Sequence, residues 1–392
     1  MVSPTLYANN GDKFPAVKQP EDAQVFRRAF TRGKDWRDFS SKPSEPRLMQ
    51  LCNEIRRSEN GRYFWGVLQM FGDLNAANRF LLSKFWQEQF TKLGASSARS
   101  EDRRDVVART VVKRFPAKTI DLSEQSDLDR VSNIILQQAE DFRTFVPTLS
   151  WTELEKAFKR KRNEDWTKNP PAEDILPAEK TEMYEHELEG FSASVKWLCM
   201  NGILHQGYEH RCRKCLHRSW IAIDAVKRQF ICEVCRTAEA APVGEPWQFR
   251  LNEFVREALR KHGILPIFWT LSRLREMTEQ SFYFEGPMDI WFETNPYEAD
   301  GPDSDLDLVC VSNGKVSICE VKQSARQLRK ATQFSGTINR LRPDVGVIAV
   351  MEAESAAITR NFQEFARNLA THIEPKLITL RENDDFDWFG TP

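Results

Sequence analysis

The sequence lacks long hydrophobic runs, an apolar leader segment and an excess of charge of either sign. No stretch approaches the roughly 18 apolar residues that a membrane-spanning helix needs. Residues 1–10 lack the basic region followed by apolar residues that is typical of a secretion signal. The formal net charge is −1, so any contact with nucleic acid must use a local basic patch. We expect a cytoplasmic protein that does not bind membranes.

Internal repeats and low-complexity tracts are also missing. Apolar residues make up 41% of the 392 residues and charged residues 29%, which is typical of a soluble globular protein and argues against general disorder. A chain of this length is too long for one ordinary core. The local patterns predict a multidomain protein: a proline-rich extended arm at 1–45, a helical domain at 46–200, a small β domain at 201–243 and an α/β domain at 244–392.

Apolar residues at helical spacing carry the prediction of the helical domain. They recur in the segments 48–90, 128–142, 151–162 and 188–198. Prolines in the segment 167–178 predict a linker before the last of these helices. The basic run at 159–162 is typical of a solvated helix end, and contact with nucleic acid is the alternative.

Four of the eight cysteines form two close pairs. Cys212 and Cys215 are separated from Cys232 and Cys235 by sixteen residues. In a chain without a secretion signal, such pairs favour a metal site over disulfides, and this spacing is typical of a four-cysteine zinc ribbon. Four thiolates leave no open position on a tetrahedral ion, so the predicted zinc is structural. We interpret the four scattered cysteines as small buried hydrophobic residues.

The segment between the two cysteine pairs predicts a β-hairpin, with strands at Trp220–Asp224 and Arg228–Ile231. His210 and His217 flank the first pair and are alternative zinc ligands. Residues 206–236 contain seven Lys or Arg against three Asp or Glu, so the ribbon is locally basic. Two hypotheses follow: the ribbon contacts phosphate, or it only braces the neighbouring domains.

The α/β domain contains a strong hairpin signal at Asn313-Gly314, between the β-type runs 305–312 and 315–322. A type I′ turn needs positive φ at both central residues, which Asn-Gly provides. The register then predicts Asp307 opposite Glu320 and Asp305 opposite Lys322. Opposed residues share a face of the sheet, so these four side chains are expected to converge. Helical and strand patterns on both sides of the hairpin predict a mixed sheet covered by helices.

Two carboxylates that face each other across a strand pair destabilise the sheet unless a cation lies between them. Asp307 and Glu320 are the type of ligand that magnesium or manganese accepts at such a place. Lys322 lies two residues further along the same face, where it can orient water or stabilise charge on a phosphate. The alternative is a surface salt bridge between Lys322 and an aspartate.

Glu320-Val321-Lys322, in this hairpin, resembles the (D/E)xK half of the PD-(D/E)xK superfamily, the restriction-endonuclease-like nucleases that include archaeal Holliday junction resolvases. The resemblance covers about residues 245–380. It implies magnesium-dependent hydrolysis of nucleic-acid phosphodiesters, usually DNA, with Asp307, Glu320 and Lys322 as catalytic residues. Pro302-Asp303 matches the first half of the motif by its letters, but the hairpin register puts Asp303 beyond Lys322.

Further candidate residues follow from the same resemblance. Family members often carry a glutamate on the first helix, for which Glu253 and Glu257 are candidates, and Gln323 and Gln327 are candidates near the motif. No QxxxY pattern follows the motif, so the helicase-linked branch of the family is not indicated.

The sequence as a whole favours a magnesium-dependent deoxyribonuclease in phage defence, a mobile element or repair. A catalytically inactive nucleic-acid-binding or scaffold subunit and a nuclease that cuts RNA are the alternatives. A protein partner or a homodimer would fit the cutting of two strands.

Overall fold

The computed structural model describes residues 7–8, 52, 54–95, 146–168, 175–240, 247–279, 281–292 and 301–381. In these ranges the helices are α1 (Glu59–Phe71), α2 (Leu74–Leu81), α3 (Lys84–Phe90), α4 (Trp151–Lys168), α5 (Pro177–Met200), α6 (Glu253–Lys261), α7 (Ile264–Glu276), α8 (Ala331–Leu341) and α9 (Ala356–Arg367). The strands are β1 (Tyr7–Ala8), β2 (Glu54–Arg57), β3 (Leu149–Ser150), β4 (Leu204–Arg211), β5 (Arg218–Ala222), β6 (Gln229–Ile231), β7 (Ala238–Ala240), β8 (Gln248–Leu251), β9 (Ser281–Glu285), β10 (Met288–Trp291), β11 (Ser304–Leu306), β12 (Leu308–Ser312), β13 (Lys315–Lys322), β14 (Val345–Ala353) and β15 (Glu374–Leu380).

The chain forms two compact units: residues 1–83 with 262–386, and residues 84–261 with 387–392. These units do not follow the predicted boundaries at 46, 201 and 244, because β2 pairs with β10, α1 and α2 pack with α7, and α6 belongs to the second unit. The amphipathic segment 128–142 and nearly all of the predicted arm lie outside the described residues. Within those residues, every helix is too short or too polar to cross a membrane.

The first unit contains a mixed six-stranded sheet in the order β1-β9-β12-β13-β14-β15. The β9, β12 and β13 strands are antiparallel, whereas β13, β14 and β15 are parallel. Val309, Ile318 and Ile348 lie in a buried cluster with Phe334 of α8 and Phe365 of α9, which covers the sheet with helices. The expectation of a C-terminal mixed α/β sheet is therefore confirmed.

The central hairpin has the predicted turn and register. Asn313 has φ 51° and Gly314 has φ 76°, which are the positive values that a type I′ turn requires. Ser312 pairs with Lys315, and the ladder continues to Leu308 opposite Cys319. The predicted strand that enters the hairpin is interrupted, because Asp307 is a bend between β11 and β12.

A second sheet in the same unit has the order β11-β10-β2. The N-terminus of α1 is tightly docked on the turn between β9 and β10: the Ser58 N–H donates to the Pro287 carbonyl at 3.0 Å, and the Ser58 hydroxyl accepts from the Gly61 N–H at 3.1 Å. A Cβ at Gly61 would overlap the Pro287 carbonyl oxygen, and a Cβ at Gly286 would overlap the Phe64 ring. Close approach of the two backbones thus holds the start of α1 beside the turn between β9 and β10.

The second unit is built on a four-stranded sheet, β3-β8-β4-β5, and the hairpin β6-β7. Its core includes an aromatic group in which the rings of Phe158 and Phe191 are stacked 4.7 Å apart and Trp86 also contacts Phe191. The predicted linker is bordered by α4, which ends at Lys168, and by α5, which begins at Pro177. Proline suits this first helical position because its missing N–H would have no partner there.

Candidate functional sites

Asp307, Glu320 and Lys322 lie together where β13 ends and β12 begins. The Lys322 ammonium is 2.9 Å from Oδ2 of Asp307 and 2.8 Å from Oε1 of Glu320. Both carboxylates therefore contact one cationic nitrogen and cannot be farther apart than the sum of these distances. The Val321 N–H also donates to Oδ2 of Asp307 at 2.8 Å, which fixes the orientation of that carboxylate.

The electrostatics of this triad depend on burial as well as on charge. Burial raises the pKa of Glu320 to about 7, and the neighbouring Asp307 carboxylate adds to the increase. Burial alone would lower the pKa of Lys322, but Asp307 and Glu320 outweigh it and the pKa is raised. The side chains of Glu320 and Lys322 are only 13% and 21% exposed. A positive charge is thus strongly favoured at the point between the two carboxylates.

Asp305 does not face Lys322, which corrects the prediction from the hairpin register. The bend at Asp307 ends the pairing of the hairpin, and Asp305 instead pairs with Asp289 of β10. Burial raises the pKa of Asp289, and Asp305 raises it further. Asp305 also contributes to the raised pKa of Glu320, so it remains close to the triad. Asp289 was not among the predicted site residues, because Asp305 was expected to pair within the hairpin and not with β10.

The remaining candidates have other contacts. Asp303 accepts a hydrogen bond from the Phe292 N–H at 2.7 Å, beside the paired strands β10 and β11. The Gln327 side chain accepts from the backbone N–H of Gln323 at 3.0 Å. Glu253 pairs with Arg256, and Glu257 lies 3.0 Å from Lys261; both glutamates belong to the second unit, whereas the triad belongs to the first.

The four paired cysteines converge in the second unit. Their Sγ atoms all lie within 4.8 Å of one another, so one metal ion such as zinc fits between them. The Sγ atoms of Cys212 and Cys235 are 3.5 Å apart, as are those of Cys215 and Cys232. Among the described residues, this is the one group of three or more Cys, His, Asp or Glu side chains placed to hold a metal.

Both cysteine pairs use the same backbone turn. The Cys212 N–H donates to the His217 carbonyl at 2.8 Å, and the Cys232 N–H donates to the Thr237 carbonyl at 2.9 Å. Leu216 and Arg236, which follow the second cysteine of each pair, have φ of 62° and 59°. These matching turns point the thiols of each pair to the same side.

The predicted pairing of the ribbon strands is wrong. The strands between the cysteine pairs do not pair with each other: β5 pairs with β4, and β6 pairs with β7. Each CxxC turn therefore closes its own hairpin. His210 is not in the metal-binding group, and its Nε2 lies 3.0 Å from Oε2 of Glu239. His217 contributes its backbone carbonyl to the first turn and is also outside the group.

Comparison of the chain with known protein families, with curated proteins and with solved structures finds no match.

Proposed function

We propose that this protein is a divalent-metal-dependent nuclease of the PD-(D/E)xK type, with its active site at Asp307, Glu320 and Lys322. The observation that carries the proposal is the Lys322 ammonium held between two carboxylates at 2.9 and 2.8 Å. The ammonium occupies the position in which a metal cation would relieve the repulsion between the Asp307 and Glu320 carboxylates. The hairpin, followed by a helix and a parallel strand, adds the strand and helix order that the motif resemblance implies.

The donor set fits magnesium or manganese. Asp307 and Glu320 supply two carboxylates, and hard cations of this kind take one or two carboxylates and complete their shell with water and phosphate oxygens. A bound ion would supply Lewis-acid chemistry and an activated water. The Val321 N–H keeps Asp307 in place, and Lys322 would supply positive charge to stabilise negative charge on the phosphate.

The four-cysteine site has a different role in this proposal. All four ligand positions of a tetrahedral zinc are filled by Cys212, Cys215, Cys232 and Cys235, so zinc there is structural. It would hold together two small hairpins that have little apolar core of their own.

Nuclease assays test the proposal. The zinc-loaded full chain is incubated separately with supercoiled plasmid, single-stranded DNA and single-stranded RNA, with magnesium, manganese or EDTA. We expect metal-dependent cutting of DNA and a loss of at least about 100-fold in Glu320→Gln. Glu374→Gln is the matched control, because this carboxylate is 61% exposed and pairs with Lys315 on the same sheet. We expect it to cut normally.

The outcomes separate the alternatives. Cutting of RNA alone would make the protein a ribonuclease, and binding without cutting would favour an inactive scaffold subunit. Cutting that survives Glu320→Gln would remove this site from the mechanism.

A further inference from the structure

One face of the four-stranded sheet in the second unit is polar and basic. Pairing and alternation place the following residues on that face: His205, Gly207, Glu209, Arg211, Arg218, Trp220, Gln248 and Arg250. The opposite face carries the buried side chains of Leu204, Phe249 and Leu251. The polar face is therefore the side of the sheet that is not committed to this apolar core.

Arg211 and Arg218 are directly opposed across β4 and β5. Like charges in this position destabilise a strand pair. Glu209 lies 3.1 Å from Arg218, but Arg211 is exposed and has no ion pair within the described ranges. An anion at this position would relieve the repulsion.

Arg250 is held over the ring of Trp220, with its Cζ atom 4.8 Å from the ring centroid. Trp220 itself lies across Gly207, where a Cβ would come within 2.7 Å of its Cζ2 atom. Gly207, Trp220 and Arg250 thus form a stack that rises from the sheet.

Arg250 is half-buried, and in the described part of the chain no acceptor is hydrogen-bonded to its guanidinium. Burial lowers the pKa of Arg250 and outweighs the Glu253 carboxylate, which raises it. Burial together with Arg250 lowers the pKa of His205 beside it. A guanidinium that is partly desolvated without a hydrogen-bonded acceptor is a favourable place for an external anion.

We propose that this face, built around Arg211, Arg218 and Arg250, binds the phosphate backbone of nucleic acid. The arginines extend along β4 from Arg250, which pairs with His205, to Arg211, a length of roughly 20 Å at about 3.3 Å per residue, which fits a chain of phosphates better than one compact anion. Planar guanidinium groups suit phosphate oxygens because two N–H groups can donate together. The inference names a substrate-binding surface for the proposed nuclease and rests on that function for the identity of the polyanion.

The test measures binding in a chain that does not cut. Zinc-loaded full-length Glu320→Gln protein is titrated into a fluorescein-labelled 20-mer, as single strand and as duplex, and anisotropy is followed at several salt concentrations. We expect Arg250→Ala to weaken binding about tenfold and Arg211→Ala about threefold, and each to reduce the salt slope by about one. Arg250→Lys should recover part of the affinity. The control is Lys196→Ala, an exposed cation on α5, which should stay within about twofold of the parent.

The melting temperature of each variant distinguishes a loss of binding from a loss of folding in this test. Arg211→Ala removes a like-charge contact, so its melting temperature should not fall although its affinity does. Equal affinity of the Arg211 and Arg250 variants and the parent would overturn the inference. So would displacement of the oligonucleotide by poly-glutamate as effectively as by unlabelled DNA, because the face would then fit an acidic peptide.

The two proposals can fail separately. Arginine-dependent binding by a wild-type chain that cuts nothing would reject the nuclease and support the surface. If the wild-type chain cuts nucleic acid and the arginine variants bind with unchanged affinity, the nuclease would be supported and the binding surface rejected.

Discussion

Divalent-metal binding at the triad should depend steeply on pH near neutrality, because Glu320 must lose its proton before it can hold a cation. Its pKa is raised to about 7 by burial first and by Asp307 second. About one tenth of Glu320 is then ionised at pH 6 and about nine tenths at pH 8, so the affinity for manganese should rise roughly tenfold over this range. A carboxyl with an ordinary pKa near 4.5 would give almost no change.

The same shift sets the sign of the stability change. A raised pKa means that the folded chain holds this proton more tightly than the unfolded chain, so the metal-free protein loses the corresponding stability as pH rises from about 4.5 to 7. Metal binding at pH 8 reverses this loss. A tenfold gain in affinity corresponds to about 1.4 kcal/mol of additional stabilisation by manganese at pH 8 over pH 6 when the ion is in excess.

The assay is isothermal titration of manganese into the zinc-loaded protein at pH 6, 7 and 8, with melting curves at each pH. Glu374→Gln should reproduce the pH dependence of the wild type. Glu320→Gln should bind weakly at every pH. Affinity that is the same at pH 6 and pH 8 would show that Glu320 does not control metal binding, as would an unchanged pH dependence in Glu320→Gln.

Two further predictions concern the fold and the zinc site. Gly61→Ala should lower the free energy of unfolding by about 1 to 3 kcal/mol, because its Cβ meets the fixed Pro287 carbonyl. Gly336→Ala has open space on an exposed helix surface and should raise the free energy of unfolding by about 0.5 to 1 kcal/mol. Chemical denaturation measures both changes, and equal effects of the two variants would contradict the docking of α1. Cys232→Ser should lose the zinc that the parent retains after dialysis, because one of the four thiol ligands is missing. Cys199→Ser, outside the site, should keep one equivalent of zinc by elemental analysis. Full retention of zinc in Cys232→Ser would reject the four-cysteine site.

The parts of the structure that the sequence predicted are those with local causes. Asn313-Gly314 determines a two-residue turn, and the turn determines the register as far as Leu308 opposite Cys319. The predicted pairing of Asp307 with Glu320 lies one step beyond the end of this ladder, but both carboxylates still contact one ammonium. The spacing of the cysteines likewise predicted their convergence, because two CxxC turns present four thiols regardless of which strands connect them.

The parts that the sequence did not predict depend on distant contacts. The bend at Asp307 moves Asp305 into a ladder with Asp289, and no local pattern distinguishes that partner from the end of β13. In the ribbon, the two strands between the cysteine pairs were predicted to pair with each other. Instead, β5 pairs with β4, which precedes the first cysteine pair, and β6 pairs with β7, which follows the second. The association of α1 with the β9–β10 turn rests on close approach at Gly61 and Gly286, which lie more than 200 residues apart.

We propose that a divalent cation binds between Asp307 and Glu320 in place of the Lys322 ammonium. Anomalous diffraction from crystals soaked in manganese at pH 8 tests it directly. We predict one strong peak within about 2.0 to 2.2 Å of a carboxylate oxygen of each residue, with the ammonium displaced from its position between them. Crystals that bind manganese elsewhere, while Lys322 stays paired with both carboxylates, would contradict the account.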